Sequence, residues 1–410
     1  MNSDWPTGRR LTARDEDFRD DPDAVYDRLR AGAPVFDDTD YGRTLLTRYR
    51  DVRAVLRHKS LSVDARRTLA DSYLRRIAGT GVNESTGDTA YEPPLVLLDD
   101  PAHRRIRSLV SKAFNPRTVE AMRPRVEAIT AELLDALAGR ERADLIHDFA
   151  GPLPTRVILE MMGMSDAYLS SFKTWSEDVL RGYDPERDAV QQQRLRDGYV
   201  GMGREFRRVV AERRASPRDD LISEMVRAQE REDRLSDLEI ISLCTQLMVA
   251  GNVTTTDLIG NGMHALLSHP EQHARLLRDP GLVDSAVEEM LRYDCPITET
   301  ARVTLAEENV AGRRLGPGAT MTASLAAANH DPERFPDPHE FDIERSDNAH
   351  LGFGSGVHVC LGAPLARMES QIAVRELLRR FPGARLDPDA APVRRDLPFF
   401  RGFTTLPILL

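Results

Sequence analysis

The most informative part of the sequence reads FGSGVHVCLGAPLAR and runs from Phe353 to Arg367. In it, Cys360 follows a glycine-rich turn and directly precedes a run with helical periodicity. Backbone N–H groups of such a turn and of a helix N-terminus point at the sulfur, which predicts a thiolate with a lowered pKa. The sulfur would then be a metal ligand or a nucleophile. The alternative is a buried structural cysteine, whereas the partner residues of a cysteine protease or of a phosphate-binding loop are not evident.

The pattern Phe-x-x-Gly-x-x-x-Cys-x-Gly is filled here by Phe353, Gly356, Cys360 and Gly362. It resembles the haem-binding loop of the cytochrome P-450 haem-thiolate monooxygenases. The resemblance implies haem b (iron protoporphyrin IX) as the cofactor, with Cys360 as the axial ligand of its iron. It also implies that both glycines let the backbone approach the porphyrin and that Phe353 packs beside the sulfur. Three further segments match in the expected order, so the resemblance covers essentially the whole chain and implies the P-450 fold, mainly α with small β-sheets.

The first of these segments contains Glu289 and Arg292, which share a helix face at a spacing of three residues and can pair. Taken alone, such a pair is most often a solvated surface contact. The family resemblance instead implies a buried Glu-x-x-Arg pair that is joined by Arg345. Its role would be to scaffold the cysteine loop rather than to take part in catalysis.

The second segment contains His103 and Arg107, which stand four residues apart on a predicted helix and are suited to grip two carboxylates. Read without the family, this arginine-rich segment is a solvated helix face. The resemblance implies that the carboxylates are haem propionates and that Arg302 and His358 are further partners.

The third segment, Ala250-Gly251-Asn252-Val253-Thr254-Thr255, lies in the longest helical pattern of the chain. Glycine and a run of threonines lower helix propensity, which predicts either a widened turn beside a ligand or close helix packing through small side chains. The segment resembles the oxygen-binding groove of the family, and Ala250, Gly251, Val253 and Thr254 are the candidate catalytic residues. Thr254 would hold water there.

Val253 stands where the family usually has an acid, which leaves the proton route to the reaction site open. The candidates are a chain through Asn252 and Thr255, a polar group of the substrate, or Asp257, one helical turn beyond Thr254. Asp257 could equally be the partner of a neighbouring arginine.

The same resemblance predicts a mostly apolar pocket for a hydrophobic small-molecule substrate. Its expected lining residues are Gln246, Val249, Ile297, Thr298, Phe399 and Phe400. For the two phenylalanines, ordinary core packing is the alternative. Residues 60–94 and 168–199 show no firm pattern and are expected to form variable lids.

Acidic residues outnumber basic ones, 66 against 56, which gives the 410-residue chain a net charge of -10. A generic nucleic-acid binder is therefore not expected. Three cysteines without a CxxC pair argue against a disulfide scaffold or a structural zinc site and for a reducing compartment. The N-terminal segment has no apolar signal region and no run of about 18 apolar residues occurs, so we expect a cytoplasmic protein without a membrane span.

Basic side chains nevertheless cluster around the predicted propionate-binding helix, at Arg104, Arg105, Lys112, Arg117 and Arg123. The cluster predicts docking of an acidic, ferredoxin-type electron donor, with a solvated basic face as the alternative. No fused flavin or nicotinamide domain is evident, so the electrons are expected to come from a separate protein.

Helical periodicity dominates over residues 119–137, 220–230, 237–268 and 283–293, and short strands are predicted at 45–47, 302–305, 321–324 and 404–409. Residues 327–356 are predicted to form a long ordered meander. Because no repeat or flexible hinge is found, we expect one domain, residues 1–410.

These observations predict a bacterial-type cytochrome P-450 that inserts one oxygen atom from O2 into a hydrophobic small molecule, in specialised metabolism. One alternative is a nitric-oxide-reductase-type member of the family that takes electrons directly from NADH, because its groove resembles the Ala-Gly-Asn stretch. Another is a catalytically silent haem-thiolate sensor or docking protein, against which the presence of Cys360 and Thr254 weighs.

Overall fold

The structure is a computed structural model that describes residues 5–79, 93–232 and 235–410. Helices dominate these ranges, so the predicted fold class, mainly α with small β-sheets, is confirmed. The α-helices are Glu16–Asp20, Pro22–Gly32, Tyr49–Arg57, Tyr73–Gly79, Ala102–Val110, Pro116–Asp135, Pro152–Met161, Leu169–Leu180, Ala189–Ala215, Leu221–Glu232, Asp237–Ser268, Pro270–Arg278, Val283–Tyr293, Leu325–Asn329 and Ala363–Arg380.

Short strands form small sheets at the edge of the helical body. They are β1 (Val35–Asp38), β2 (Arg43–Leu46), β3 (Leu61–Ser62), β4 (Arg142–Asp144), β5 (Glu299–Thr304), β6 (Glu308–Val310), β7 (Arg313–Leu315), β8 (Thr320–Ser324), β9 (Arg385–Leu386), β10 (Val393–Arg394), β11 (Phe403–Thr405) and β12 (Pro407–Leu409). The largest sheet has the order β1-β2-β8-β5-β3, and the others are β4-β12-β9, β10-β11 and β6-β7. In the largest sheet, Arg302 of β5 lies opposite Met321 of the antiparallel strand β8.

The helix Asp237–Ser268, here called the central helix, organises the core. Ser236 caps its first turn, because its side chain accepts from the Glu239 backbone N–H and the Glu239 side chain accepts from the Ser236 N–H. The helices Pro152–Met161, Leu169–Leu180, Ala189–Ala215 and Ala363–Arg380 pack around it. The central helix is therefore buried on nearly all sides.

Local signals predicted most helix boundaries well. The central helix and Val283–Tyr293 have the predicted bounds. The helix predicted from residue 119 begins at Pro116, because the Asn115 side chain caps it and proline suits the first helical position. The strand predicted over residues 404–409 is divided between β11 and β12, which pair with different strands.

The role of the two predicted lid segments remains a prediction. Residues 168–199, which showed no firm sequence pattern, are mostly helical and belong to Leu169–Leu180 and Ala189–Ala215. Of residues 60–94, those numbered 80–92 lie outside the described residues. The prediction of a single domain over residues 1–410 remains a prediction. Within the described part of the chain, no helix is long and apolar enough to cross a membrane.

Candidate active site

The cysteine loop, residues 353–362, is held by its own backbone. The Cys360 N–H donates to the Phe353 carbonyl (2.9 Å), and a single 3-10 turn covers Gly356–His358. Gly356 has φ +78°, and a Cβ placed there would lie 2.5 Å from the Leu56 carbonyl oxygen. A glycine is therefore required at 356 by the packing of the loop on the helix Tyr49–Arg57. At Gly362, by contrast, no described atom lies within 4 Å of the position that a Cβ would take. The approach of both glycines to a porphyrin remains a prediction.

The Cys360 thiol is accessible, unlike Cys244 and Cys295, which are buried. Burial of its surroundings raises the pKa of Cys360, although the Gly362 and Ala363 N–H groups and the Arg107 guanidinium act in the opposite direction. The sequence-based expectation of a pKa lowered by the loop is thus wrong, because desolvation outweighs the helix N-terminus. Coordination to a metal ion deprotonates a thiol outright, so the chemistry of this donor suits a metal better than a free nucleophile.

A network not anticipated from the sequence supports Phe353. The Arg367 guanidinium lies 4.6 Å from the centre of the Phe353 ring and donates to Glu288 from Nε (2.6 Å) and Nη2 (2.8 Å). His350 contacts the same carboxylate at 3.1 Å. Burial raises the pKa of Glu288, but the hydrogen bonds from Arg367 and His350 outweigh it and lower that pKa to about 2. The adjacency of Glu288 to the Glu-x-x-Arg pair is a weak signal that could have indicated this role.

The structure brings His103, Arg107, Arg302 and His358 together beside the cysteine loop. The rings of His103 and His358 are 4.2 Å apart, and Arg107 Nη2 donates to the Val359 carbonyl at 2.7 Å. Burial, together with the positive charges of Arg302, His103 and Arg107, lowers the pKa of His358 to about 3. His358 is therefore a neutral hydrogen-bonding group at neutral pH.

Two of these groups, Arg302 and His103, are buried, while the acids nearest to them, Asp99 and Asp100, are 28% and 44% exposed. Arg302 is 5% exposed, and its one hydrogen bond to a described residue goes to the neighbouring Ala301 carbonyl (2.8 Å). Burial lowers the Arg302 pKa to about 10. The buried Nε2 of His103 also has no hydrogen-bond partner in the described part of the chain. Because a buried cation is costly unless paired, the site fits an anionic ligand, and the two carboxylates of a haem meet that requirement.

Glu289, Arg292 and Arg345 form a buried ion cluster behind the loop. Arg292 donates to both Glu289 oxygens at 2.8 Å, and Arg345 Nε lies 3.2 Å from one of them. Both Glu289 and Arg292 are at most 1% exposed, so the surface-pair alternative is excluded. Arg292 also donates to the carbonyls of Asn329, Pro338 and Glu340, which fixes the meander that leads to the cysteine loop.

One face of the central helix is open in the middle of an otherwise buried element. Ala250 is exposed and Gln246, Gly251 and Thr254 are half-buried, whereas most residues around this stripe are buried. Positions 246, 250 and 254 repeat every four residues and share one face. The Thr254 hydroxyl donates to the Ala250 carbonyl at 2.6 Å. The helix is continuous here, so the predicted widened turn is absent from the described structure.

Val253 and Asn252 point away from this stripe. Val253 is 3% exposed and belongs to the hydrophobic core, where an acid would lose its hydration. Asn252 Oδ1 accepts from the Thr155 hydroxyl (2.8 Å) on a neighbouring helix. Asp257 is fully buried and pairs with Arg395 at 3.2 Å. The structure thus has the arginine partner that the sequence left as the alternative to a proton relay.

The remaining pocket residues lie around two chain segments that meet. Ile297 and Phe400 form a β-bridge, and the Thr298 N–H donates to the Phe399 carbonyl (2.9 Å). Phe399 has φ +68° and stacks on Tyr73 with ring centres 5.0 Å apart. Phe400 is 6% exposed and belongs to the core, while Val249 is 8% exposed. The Oε1 of Gln246 is buried without a hydrogen-bond partner among the described residues.

The basic residues near the loop differ in whether they form ion pairs with described acidic residues. Arg104 pairs with Asp100 and Arg123 with Glu120, each at 2.6 Å, and Arg105 pairs with Glu239. Lys112 and Arg117 are exposed and form no ion pair with a described residue. Val357 in the cysteine loop is 63% exposed. Charge and apolar surface are therefore both available on this side of the protein.

Comparison with known proteins agrees with this arrangement. The family model for cytochrome P450 matches residues 185–396. Cytochrome P450 107B1 of Saccharopolyspora erythraea is 39% identical over 409 residues, which covers 97% of each chain. From the same organism, 6-deoxyerythronolide B hydroxylase is 39% identical over 391 residues, or 94% of this chain and 95% of that protein. The crystal structure of the myxobacterial cytochrome P450 CYP267B1 with myristic acid has a TM-score of 0.88 at 39% identity, covering 96% and 97% of the two chains.

The helical fold, the cysteine loop and these relatives together define a haem-thiolate oxidoreductase. The chain belongs to the cytochrome P450 family. It is a P450 monooxygenase that uses haem b, and its relatives include bacterial hydroxylases.

Proposed function

We propose that this protein hydroxylates a hydrophobic, polyketide-type small molecule of specialised metabolism, with electrons from a separate ferredoxin. The observation that carries the oxygenase part is the cysteine loop set beside a buried, unpaired cationic site and an open stripe on the central helix. The similarity to 6-deoxyerythronolide B hydroxylase over nearly the whole chain supports the substrate class.

In this proposal Cys360 is the iron ligand and the metal-binding residue of the chain. Arg107, Arg302, His103 and His358 bind the two haem carboxylates, because they supply positive charge and hydrogen-bond donors without a buried acid to neutralise them. When bound, the haem supplies the chemistry of O2 activation and oxygen insertion. Phe353, Gly356 and Gly362 shape the loop around the sulfur.

Thr254 acts as a hydrogen-bond acceptor in the proposed reaction. Because its hydroxyl proton is directed at the Ala250 carbonyl, its oxygen lone pairs are free to accept a hydrogen bond from water in the open stripe. Thr254 therefore orients water and has no labile proton of its own to supply near pH 7. With Val253 in the core, the proton must reach this water through solvent or through a polar group of the substrate.

The proposed substrate pocket lies between the open stripe and the joined segments at Ile297–Thr298 and Phe399–Phe400. Its walls are apolar apart from Gln246, Thr254 and Thr298, which suits a hydrophobic molecule with few polar groups. Phe399 supplies an aromatic surface, while the buried Phe400 supports it from the core.

The proposed donor-docking face is centred on exposed Val357 and includes Lys112 and Arg117. Lys112 follows the helix Ala102–Val110, which contacts the cysteine loop through His103 and Arg107. Unpaired positive charge beside an apolar centre suits an acidic protein partner.

Two spectroscopic experiments test the proposal. The reduced protein with CO should show the red-shifted Soret band of a thiolate-ligated haem, and Cys360→His should lose it; an unchanged band would refute the ligand assignment. A library of polyketide-type compounds should include ligands that convert the ferric haem from low to high spin, whereas shifts only with unrelated compounds would refute the substrate class. The comparisons do not favour the nitric-oxide-reductase or sensor alternatives. NADH consumption by NO without a ferredoxin would overturn the proposed electron route.

A further inference from the structure

A cluster of two histidines and two aspartates lies outside the active site, where the helix Pro22–Gly32 meets the meander. Asp23, His330 and His339 each offer one potential metal-ligating atom, and these atoms lie within 4.8 Å of one another. Asp27, one helical turn after Asp23, contacts His339 from the same helix face. We propose that Asp23, His330 and His339 bind a zinc ion, with Asp27 as the residue that orients His339.

The three side chains can reach one zinc ion after the Asp23 carboxylate turns. Asp23 Oδ1 and His330 Nδ1 are 2.8 Å apart, and Asp23 Oδ2 and His339 Nδ1 are 3.7 Å apart, so each histidine faces a different carboxylate oxygen. Two nitrogen or oxygen ligands about 2.0–2.1 Å from a tetrahedral zinc lie about 3.3 Å from each other. The carboxylate must therefore rotate so that one of its oxygens, or both together, serves the same ion as the two rings. Zinc would take the place of the proton between Asp23 and His330 Nδ1, and the neutral imidazole would then carry its ring proton on Nε2.

The hydrogen bond to Asp27 selects the nitrogen of His339 that can bind metal. Asp27 Oδ2 and His339 Nε2 are 2.8 Å apart, and an ionised carboxylate only accepts, so Nε2 carries the proton of this bond. In the neutral imidazole, Nδ1 then presents its lone pair toward Asp23. A carboxylate on the far nitrogen is the usual support of a zinc-bound histidine.

His330 is held in the cluster through Nδ1. The residue is 4% exposed, and its Nε2 is buried without a hydrogen-bond partner among the described residues. Within the described part of the chain, its ring is therefore hydrogen-bonded to Asp23 alone. The rings of His330 and His339 meet edge to face at 5.3 Å, because the chain turns back at Asp337, which has φ +47°.

Two nearby arginines and the solvent exposure of the cluster affect how a metal ion would bind there. Arg30 donates to Asp27 (2.5 Å), and Arg401 lies close enough to lower the pKa of Asp23. These cations reduce the attraction for a metal ion, which points to moderate affinity rather than to a tight structural site. The side chains of His339 and Asp27 are 46% and 43% exposed, so an ion can enter from solvent. A bound ion would cross-link the N-terminal helix to the meander that carries Arg345.

The test uses haem-loaded protein that has been treated with a chelator and then titrated with ZnCl2 at pH 7.5. We expect one equivalent to bind and the thermal unfolding midpoint to rise. His339→Gln should weaken binding by at least about tenfold, and Asp27→Asn by about 10- to 100-fold. His58→Gln, an exposed histidine in another part of the chain, is the matched control and should bind as the wild type does. Absence of stoichiometric binding by the wild type, or equal binding by His339→Gln, would overturn the proposal and leave the cluster as a hydrogen-bond network.

Discussion

The carboxylate of Asp257 lies 3.2 Å from the Arg395 guanidinium and directly against Gly402, at the base of the segment that carries Phe399 and Phe400. A Cβ at Gly402 would clash with Asp257 Oδ1, so the glycine at 402 is what leaves room for this carboxylate. Although Thr254 and Asp257 are one turn apart, Asp257 therefore joins the central helix to the C-terminal segment.

We expect Asp257→Asn to leave the coupling of electron use to product formation unchanged, because the carboxylate is bound to Arg395 rather than exposed on the open stripe. At neutral pH the variant should be no less stable than the wild type, because burial disfavours the ionised Asp257 carboxylate even beside Arg395. Asp257→Asn combined with Arg395→Met removes both buried charges and is the reference for the pH dependence. The measurement is the product yield per O2 consumed. Diversion of electrons to hydrogen peroxide in Asp257→Asn would contradict this prediction and would support Asp257 as a proton relay.

The same pair predicts a pH dependence of stability. Burial raises the pKa of Asp257 to about 6, although Arg395 opposes the rise. Because the unfolded carboxyl has a pKa of about 3.9, the folded state binds this proton more tightly, and its contribution to stability is complete below about pH 4 and lost as the pH rises through about 6. That difference corresponds to about 3 kcal/mol. Urea unfolding between pH 4 and 7 should show this fall in the wild type and not in the double variant Asp257→Asn, Arg395→Met.

The variant Arg302→Met tests whether Arg302 binds the haem or stabilises the fold. Removing a buried cation without an acidic partner should leave the unfolding free energy of the haem-free chain unchanged or higher. Haem affinity should fall at least about tenfold, since a charge-assisted hydrogen bond is lost. Titration with haem measures the affinity, and Arg314→Met, an exposed arginine paired with Glu307, is the control. Unaltered haem affinity in Arg302→Met would contradict the assignment.

Glu289→Gln should be among the most destabilising single changes in the chain. Glu289 accepts from Arg292, Arg345, Asn348 and the Asp342 backbone while fully buried. Breaking such a pair costs about 3–5 kcal/mol, which denaturant unfolding would detect. The matched control is Glu120→Gln, which breaks an exposed pair of the same i,i+3 spacing with Arg123 and should unfold like the wild type. Equal effects of the two changes would show that burial is not what makes the Glu289 pair important.

Charge reversal at Lys112 or Arg117 should slow reduction by a ferredoxin and flatten its salt dependence, because steering between opposite charges is screened by salt. These two residues are better probes than Arg104, whose reversal would also break its pair with Asp100. Arg385→Glu, on the sheet formed by β4, β12 and β9, is the control of equal charge change. Stopped-flow reduction rates that are the same in all three variants would remove Lys112 and Arg117 from the docking face.

Local sequence signals were sufficient for the framework of the protein. The bounds of the central helix follow from its capping box and apolar pattern, and the glycine-rich turn before a helix located Cys360. The spacing of Glu289 and Arg292 predicted their pairing, which the structure contains. These features depend on residues within a few positions of one another, where helix and turn geometry fix the contacts.

Tertiary structure alone decided the charge states and the direction of the side chains. It set Asp257 against Arg395, Val253 in the core, and His339 beside Asp27, pairs that are separated by many residues or that depend on which helix face is buried. It also raised the pKa of Cys360 where the loop alone suggested the reverse. Burial and ion pairing depend on every element packed around a group, and no local pattern contains that information.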